Sequence, residues 1–450
     1  MTDQITTLET QLNDFNLATR TEALHELLRL AGQGRVEVAA PREVANMHCH
    51  TFFSFNGYGY SPSALAWLAR KNGYKLIGMI DFDVLDGVDE FLAACDATGV
   101  RGSTGIETRV YFPQFASRET NSPGEPGVTY HIGLGFAAGQ PPADVAPILA
   151  DMRERAAERN RSMIERINSH LAPVQVDYER DVLPLTPAGN ATERHMLTAY
   201  VAAAERIAPD PVDFWAGKLN LEPQKVAGLY PNLAAFKNVV RARLMKRGGV
   251  GYVQPGPDTF PSMAQVNRLI VAGGGLPCVG WLDGLSEGEA AVEELLTLHV
   301  ESGSVTLNIV PDRNWNIADP DVKRVKLARL YEIVEWAGKL DLPLNIGTEM
   351  NAEGQILLDD FDAPELEPVR QPFMDGAYFI YGHVTAQRAL GLGYQSGWAA
   401  QHLPTRRERN RFYTALGKAI EPGPDGLARL RALDGALSPD DIVESVKRKT

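Results

Sequence analysis

Residues 44–50, Val44-Ala45-Asn46-Met47-His48-Cys49-His50, form a short apolar run that finishes in two histidines one residue apart. In an extended strand, side chains at i and i+2 share a face, so His48 and His50 can close on one divalent ion while Cys49 points away. An isolated His-x-His is equally a satisfied pair in a strand, and its surroundings decide between the two readings. Ser61-Pro62 supplies an N-cap and a first-turn proline for a helix ending at Gly73. Residues 75–81, KLIGMID, read as a strand, a helix follows over 86–99, and residues 103–112, STGIETRVYF, read as a third strand. This is a parallel β/α progression. His48, His50, Asp81, Glu107 and, later, His131 in residues 130–136 stand where strands finish, the end at which β/α barrels place their chemistry.

The rhythm breaks over residues 145–262, where long charged helical patterns replace strands, and resumes with strand-like runs over 274–284, 302–312, 340–351 and 376–384. The expected architecture is therefore α/β: a distorted, TIM-like β/α barrel from 44–144 and 263–383, carrying a helical insertion at 145–262. A helical lead-in occupies 1–43 and a charged helical segment 384–450. Arg406, Arg407 and Arg409 in that last segment read as a solvated face. Gly273-Gly274-Gly275 is a helix stop and turn, because no helix with Lys-Ser or Lys-Thr follows it as in a nucleotide phosphate loop.

The chain has 450 residues, 44% of them hydrophobic, which suffices for a sizeable core. Its formal charge of −13 disfavours wrapping a nucleic-acid polymer or lying on an anionic membrane, while leaving room for a local basic pocket. Its 3 cysteines show no Cys-x-x-Cys spacing, which argues against a disulfide framework or a thiolate zinc site and suits a reducing cytoplasm. No apolar run approaches the ~18 residues of a membrane span, and the acidic N-terminus reads as neither signal peptide nor anchor.

On these residues the chain resembles the PHP superfamily, the polymerase and histidinol phosphatase metallohydrolases. Their pattern opens with His-x-His-Thr-x-x-Ser and continues to Thr-Asp-His, Gly-hydrophobic-Glu, a lone His, His-Pro and Ser-Asp-x-His. The match runs from about Val44 to Phe136 and from about Gly273 to Gly354. The sequence departs from the pattern at Phe82, which replaces a ligand histidine, at Trp281 in place of the His-Pro histidine, and at Gly347-Thr348-Glu349-Met350-Asn351, where glutamate replaces aspartate and asparagine the last histidine. Asn56 stands where the family carries a further ligand. The resemblance implies a PHP-type barrel in which His48, His50, Glu107 and Glu349 hold one ion. A second ion would be shared by Glu107 and His131, and no third is held. Zn, Mn or Fe(II) would suit such a site.

The resemblance further implies a metal-dependent phosphoesterase, in which the ion activates water against a small phosphorylated molecule or nucleotide. Asp81 would orient a ligand histidine or accept a proton. Within the insertion, residues 189–195, GNATERH, resemble an Arg-Pro-His element without its proline. Arg194 would clamp a phosphate and His195 protonate a leaving group, unless the two are an ordinary surface pair. Arg313 is either an anion ligand or a loop salt bridge, and His383 is most simply structural. Two rival readings stay open: a degenerate barrel that only binds a phosphorylated or carboxylated ligand, and a single-ion C–N hydrolase or lyase.

Overall fold

The computed structural model describes residues 2–433 and 437–447. The strands are β1 (Arg42–Cys49), β2 (Tyr74–Phe82), β3 (Arg101–Tyr111), β4 (Val128–Leu134), β5 (Leu276–Gly280), β6 (Thr306–Ile309) and β7 (Leu344–Ile346), and they pair in chain order as one seven-stranded sheet. They are buried nearly end to end, as strands covered on both faces must be; β2 accordingly reads as a mostly apolar run, while β1 and β3 carry buried polar residues toward the mouth. The helix Pro62–Lys71 begins as its sequence requires, with the Ser61 hydroxyl accepting from the Ala64 N–H and proline in the first turn. The chain then turns at Gly73, where φ is +69° and a Cβ would lie 2.3 Å from the Ala40 carbonyl oxygen, so only glycine fits.

The sheet curls into a distorted, TIM-like barrel and closes on itself just beyond β7. The Glu349 N–H donates to the His48 carbonyl and the His50 N–H donates to the Glu349 carbonyl, each at 2.7 Å. Glu349 and Met350 make this junction with left-handed backbones, φ 62° and 58°, which non-glycine residues adopt at a cost. The largest hydrophobic core runs from the barrel into the surrounding helices, including Leu27, Phe91, Ile106, Leu276 and Phe379.

Two sequence expectations are corrected. β4 is antiparallel to both β3 and β5, so the run of parallel strands is interrupted at its middle. Residues 376–384 are not a strand: they lie inside the helix Arg370–Leu390, which also crosses the expected boundary at 383/384. That helix is buried on nearly every side from Phe373 to Ala386, so it shows no amphipathic stripe and its apolar run mimics a buried strand.

The segment between β4 and β5 is helical, with Ala146–Leu171, Glu193–Ile207, Pro211–Leu219 and Leu233–Leu244 packed around a separate core that includes Ile167, Tyr200, Trp215 and Phe236. It is fastened over the barrel mouth by the Asn190 amide, which donates to the Phe53 and Phe82 carbonyls at 3.1 and 2.7 Å. Among the described residues no helix is long and apolar enough to cross a membrane.

Candidate metal centre

Extended backbone carries His48, near the end of β1, and His50, just beyond it, to one face, and Glu107 arrives from β3 through the register that pairs Phe82 with Glu107. The His48 Nε2 and His50 Nε2 atoms are 3.3 Å apart, and they lie 3.4 and 3.2 Å from Glu107 Oε2. All three side chains are buried, and Glu107 Oε2 has no hydrogen-bond donor of its own.

The partners on the far side of each ring fix the tautomers. His48 Nδ1 lies 3.0 Å from Asn308 Oδ1, an acceptor that also takes a hydrogen bond from the Asn345 amide, so Nδ1 carries the proton. His50 Nδ1 lies 3.1 Å from Ser54 Oγ, whose own proton goes to Asp81 Oδ1 at 2.6 Å, so this Nδ1 is likewise the donor. Asp81 is further held by the Thr51 N–H and hydroxyl at 2.8 and 2.6 Å. Both Nε2 lone pairs therefore point at the carboxylate oxygen of Glu107. Three electron-rich atoms in a buried triangle need a cation between them, whether a shared proton or a metal ion.

The triangle fits a metal ion. A tetrahedral ion with bonds of about 2.05 Å has ligand–ligand edges of about 3.3 Å, against the 3.2 to 3.4 Å measured here. In the absence of an ion the group stores a proton instead. Burial works against a charged His48, but Glu107 and Glu349 outweigh it and hold His48 above its ordinary value. Burial likewise opposes charge on Glu107, yet the two imidazoles bring its carboxyl down to about 2. Burial raises Asp81, against the charge of His50 and the hydroxyls that bond it.

The other expected site residues divide. Glu349 reaches the mouth, but its Oε2 accepts from Arg313 at 2.8 Å and from the Asn351 amide at 3.1 Å, and it is not among the donors that converge within 4.8 Å. Arg313 is thus placed at the site through Glu349. His131 is not brought to it. Glu107 pairs directly with Ile132, so Ile132 shares the inner face and His131 points outward, its Nε2 2.6 Å from Asn267 Oδ1 and its ring 6.3 Å from that of His299. Burial lowers His131 to about 4, as befits a neutral core histidine. Arg194 faces the cavity above the triad, donating to Asn238 Oδ1 at 2.5 Å. His195 turns back into its own helix cap, Nδ1 taking the Thr192 N–H at 3.1 Å, with Phe55 against its ring. Asn56 is committed to the backbone of its loop. His383 accepts from the Tyr394 N–H inside its helix bundle. Phe82 stacks on His50 with ring centroids 4.3 Å apart, filling the side of that ring with carbon.

Between the barrel mouth and the helical segment lies a cavity of about 640 Å³ that contains the Glu107 end of the triad. Its walls carry Arg109, Arg159, Arg166, Arg194, Arg241, Lys246 and Arg313 against Asp83, Glu107, Glu125, Glu158, Glu193 and Glu349. That is one more cation than carboxylates, in a chain whose overall charge is −13. Glu193 serves both Arg241 and Lys246, at 2.7 and 2.9 Å, and burial notwithstanding its carboxyl is drawn down to about 2. Sequence reasoning missed Arg109 and Arg159. Arg109 follows Glu107 by two residues on the same strand face, and that spacing was a usable signal. Arg159 sits in a helix so rich in charge that it resembles a solvated face.

A barrel with two tautomer-locked histidines and a buried carboxylate at its mouth, roofed by a cationic chamber, is the arrangement that defines the chain. No family model and no curated protein sequence matches it. Two solved structures are similar in shape. One is an amidohydrolase from Chromobacterium violaceum with bound sulfate and no metal, with a TM-score of 0.46 at 15% identity over 73% of this chain and 96% of that one. The other, from Bifidobacterium adolescentis, is described as a metal-dependent phosphoesterase, with a TM-score of 0.46 at 18% identity over 74% of this chain and 98% of that one. Likeness at this level leaves the chemistry to be argued from the side chains.

Proposed function

We propose that the chain is a metal-dependent hydrolase that cleaves a phosphate ester of a small molecule, with His48, His50 and Glu107 as the ion's protein ligands. The observation that carries this reading is the pair of Nε2 lone pairs aimed at an unpartnered Glu107 oxygen, at the floor of a chamber with an excess of cations. A divalent ion of the zinc, manganese or iron(II) kind, when bound, supplies Lewis acidity and an acidified water. The rest falls to the chain's own residues. Asn308 holds His48 in the metal-binding tautomer, and the Ser54–Asp81 pair does the same for His50, so Asp81 is a positioning residue. Arg194 and the other chamber cations offer donors to an ester's oxygens. Phe82 keeps water off one side of His50. Arg313 bonds Oε2 of Glu349 and neutralises that carboxylate at the edge of the site.

A second reading is favoured by the single cluster: among the described residues only His48, His50 and Glu107 form a group of ligating side chains, and one ion is enough to polarise the carbonyl in C–N hydrolysis. Metal content by mass spectrometry, together with release of inorganic phosphate and of ammonia from panels of phosphate esters and amides, separates the two. The expected result is about one ion per chain and phosphate release that Glu107→Gln abolishes with the fold intact. Ammonia without phosphate would install the second reading, and an ion-free protein that turns over neither panel would reduce the chain to a ligand-binding barrel.

A further inference from the structure

We propose that Arg109, Phe260 and Arg159 form a phosphoryl-binding subsite on the chamber wall, and that Arg159 is the side chain there that waits for the anion. The inference rests on the hydrolase reading for its place in a reaction, and its own claim is the anion site. Arg109 follows Glu107 by two residues on the same face of β3, so its side chain leaves the backbone about 7 Å along the strand from that of the proposed metal ligand. Arg159 comes down from the opposite side, from the helix Ala146–Leu171. The two guanidinium carbons stand 4.3 and 4.6 Å from the centroid of one ring, that of Phe260. Stacking on an aromatic face holds a guanidinium in place while leaving its edge N–H groups free to bind.

The two arginines are not equally satisfied. Arg109 has Glu125 at 3.2 Å. Arg159 has one long hydrogen bond, to the Thr259 carbonyl at 3.4 Å, and among the described residues no carboxylate within ion-pair distance. Burial and the neighbouring Arg109 charge lower it to about 10. A guanidinium has five N–H donors in a planar fork that matches two phosphoryl oxygens. A side chain so placed, beside a like charge and with one protein acceptor for its five donors, gains most when a dianion bridges the pair. Asp83, its carboxyl bonded to the Thr108 hydroxyl at 2.6 Å, lines the same wall and is the carboxylate whose charge partly offsets that of Arg159 from beyond ion-pair distance.

The probe is inorganic phosphate, titrated calorimetrically into the full chain, with melting temperatures measured with and without phosphate. Arg159→Met is expected to weaken phosphate binding by about 10- to 100-fold, and Arg159→Lys by less, because lysine keeps the charge but not the fork. The phosphate-free melting temperature of Arg159→Met is expected to equal or exceed that of the unmodified protein, since a repulsion has been removed. Unchanged phosphate affinity in Arg159→Met would overturn the site, and so would a lowered melting temperature in both variants, which marks an ordinary structural arginine. The hydrolase reading is judged separately, by phosphate release from esters. A protein that binds phosphate through Arg159 yet cleaves no ester keeps this site and loses that reaction.

Discussion

Asp359 offers the sharpest test of how burial sets stability here. It is 2% exposed, its Oδ1 accepts from Trp315 Nε1 at 2.7 Å, and its Oδ2 has no partner. Burial, reinforced by the nearby Asp312, pushes its carboxyl from the ordinary 3.8 up to about 7. A carboxyl with a raised folded-state value binds its proton more tightly in the native chain than in the unfolded one. Its contribution is therefore fully present below about pH 4 and is lost as pH rises through about 7. Converting each unit to about 1.36 kcal/mol and integrating between the two values, the native state loses roughly 2.5 kcal/mol between pH 5 and pH 8 through this residue alone. Asp359→Asn keeps the acceptor for Trp315 and removes the titration, at a fixed expense of about 1–3 kcal/mol for an amide N–H₂ left without an acceptor. The assay is urea denaturation of both proteins at pH 5 and pH 8. The stability difference between them should shift by about 2.5 kcal/mol in the variant's favour on going to pH 8. A difference that stays constant across that range, with equal urea slopes, would refute the assignment of the proton to Asp359.

Three other substitutions follow from the geometry. Asn308→Leu deletes the acceptor that holds the His48 Nδ1 proton; affinity for a divalent ion, measured by competition with a chromogenic chelator, should fall roughly 10- to 100-fold, and unchanged affinity would mean the ring needs no such lock. Gly376→Ala drives a Cβ to 1.9 Å from the Leu344 carbonyl oxygen, whereas Gly338→Ala meets nothing within 4 Å. By chemical denaturation the first should lose about 3 kcal/mol or more, while the second, in an exposed helical position, should gain about 0.5 kcal/mol; similar effects at the two sites would show that the helix Arg370–Leu390 does not press on β7 as described.

The barrel was legible where local signals agree. The Ser61-Pro62 start, the glycine stops at Gly73 and Gly99 and the strand-end positions of His48 and His50 all lie in stretches where propensity, capping and pattern point the same way, whereas Glu107 lies inside β3, four residues before its end. The direction of β4 was overlooked, because an isolated apolar strand reads alike in both directions; the signal lay in the Pro-, Gly- and Ser-rich stretch 112–127, which has no α-helix to carry a parallel crossover. The face of His131 was missed for a related reason: alternation tells which residues share a face, and only the Glu107–Ile132 pairing tells which face is inside. The helix Arg370–Leu390 defeated periodicity by being buried all round. Arg109 could have been found from its spacing to Glu107, whereas Arg159 sits in a helix rich in charge and only the chamber, a long-range product of folding, brings the two together.

The junction of Glu349 with β1 bears on when the protein comes into being. The two histidines and Glu107 lie close in the chain, but the hydrogen bond that locks His48 reaches across 260 positions and the neighbouring one from Asn46 to Thr348 across 302. Contacts of such long separation form late, since the loop they close must first be gathered in. During synthesis, the ligating side chains and the Ser54–Asp81 pair that orients His50 therefore emerge well before Asn308, which completes the lock on His48. The arrangement around His48 and Asn46 is complete only once the residues near Thr348 have emerged, so a chain that stops short of them carries the triad without those partners.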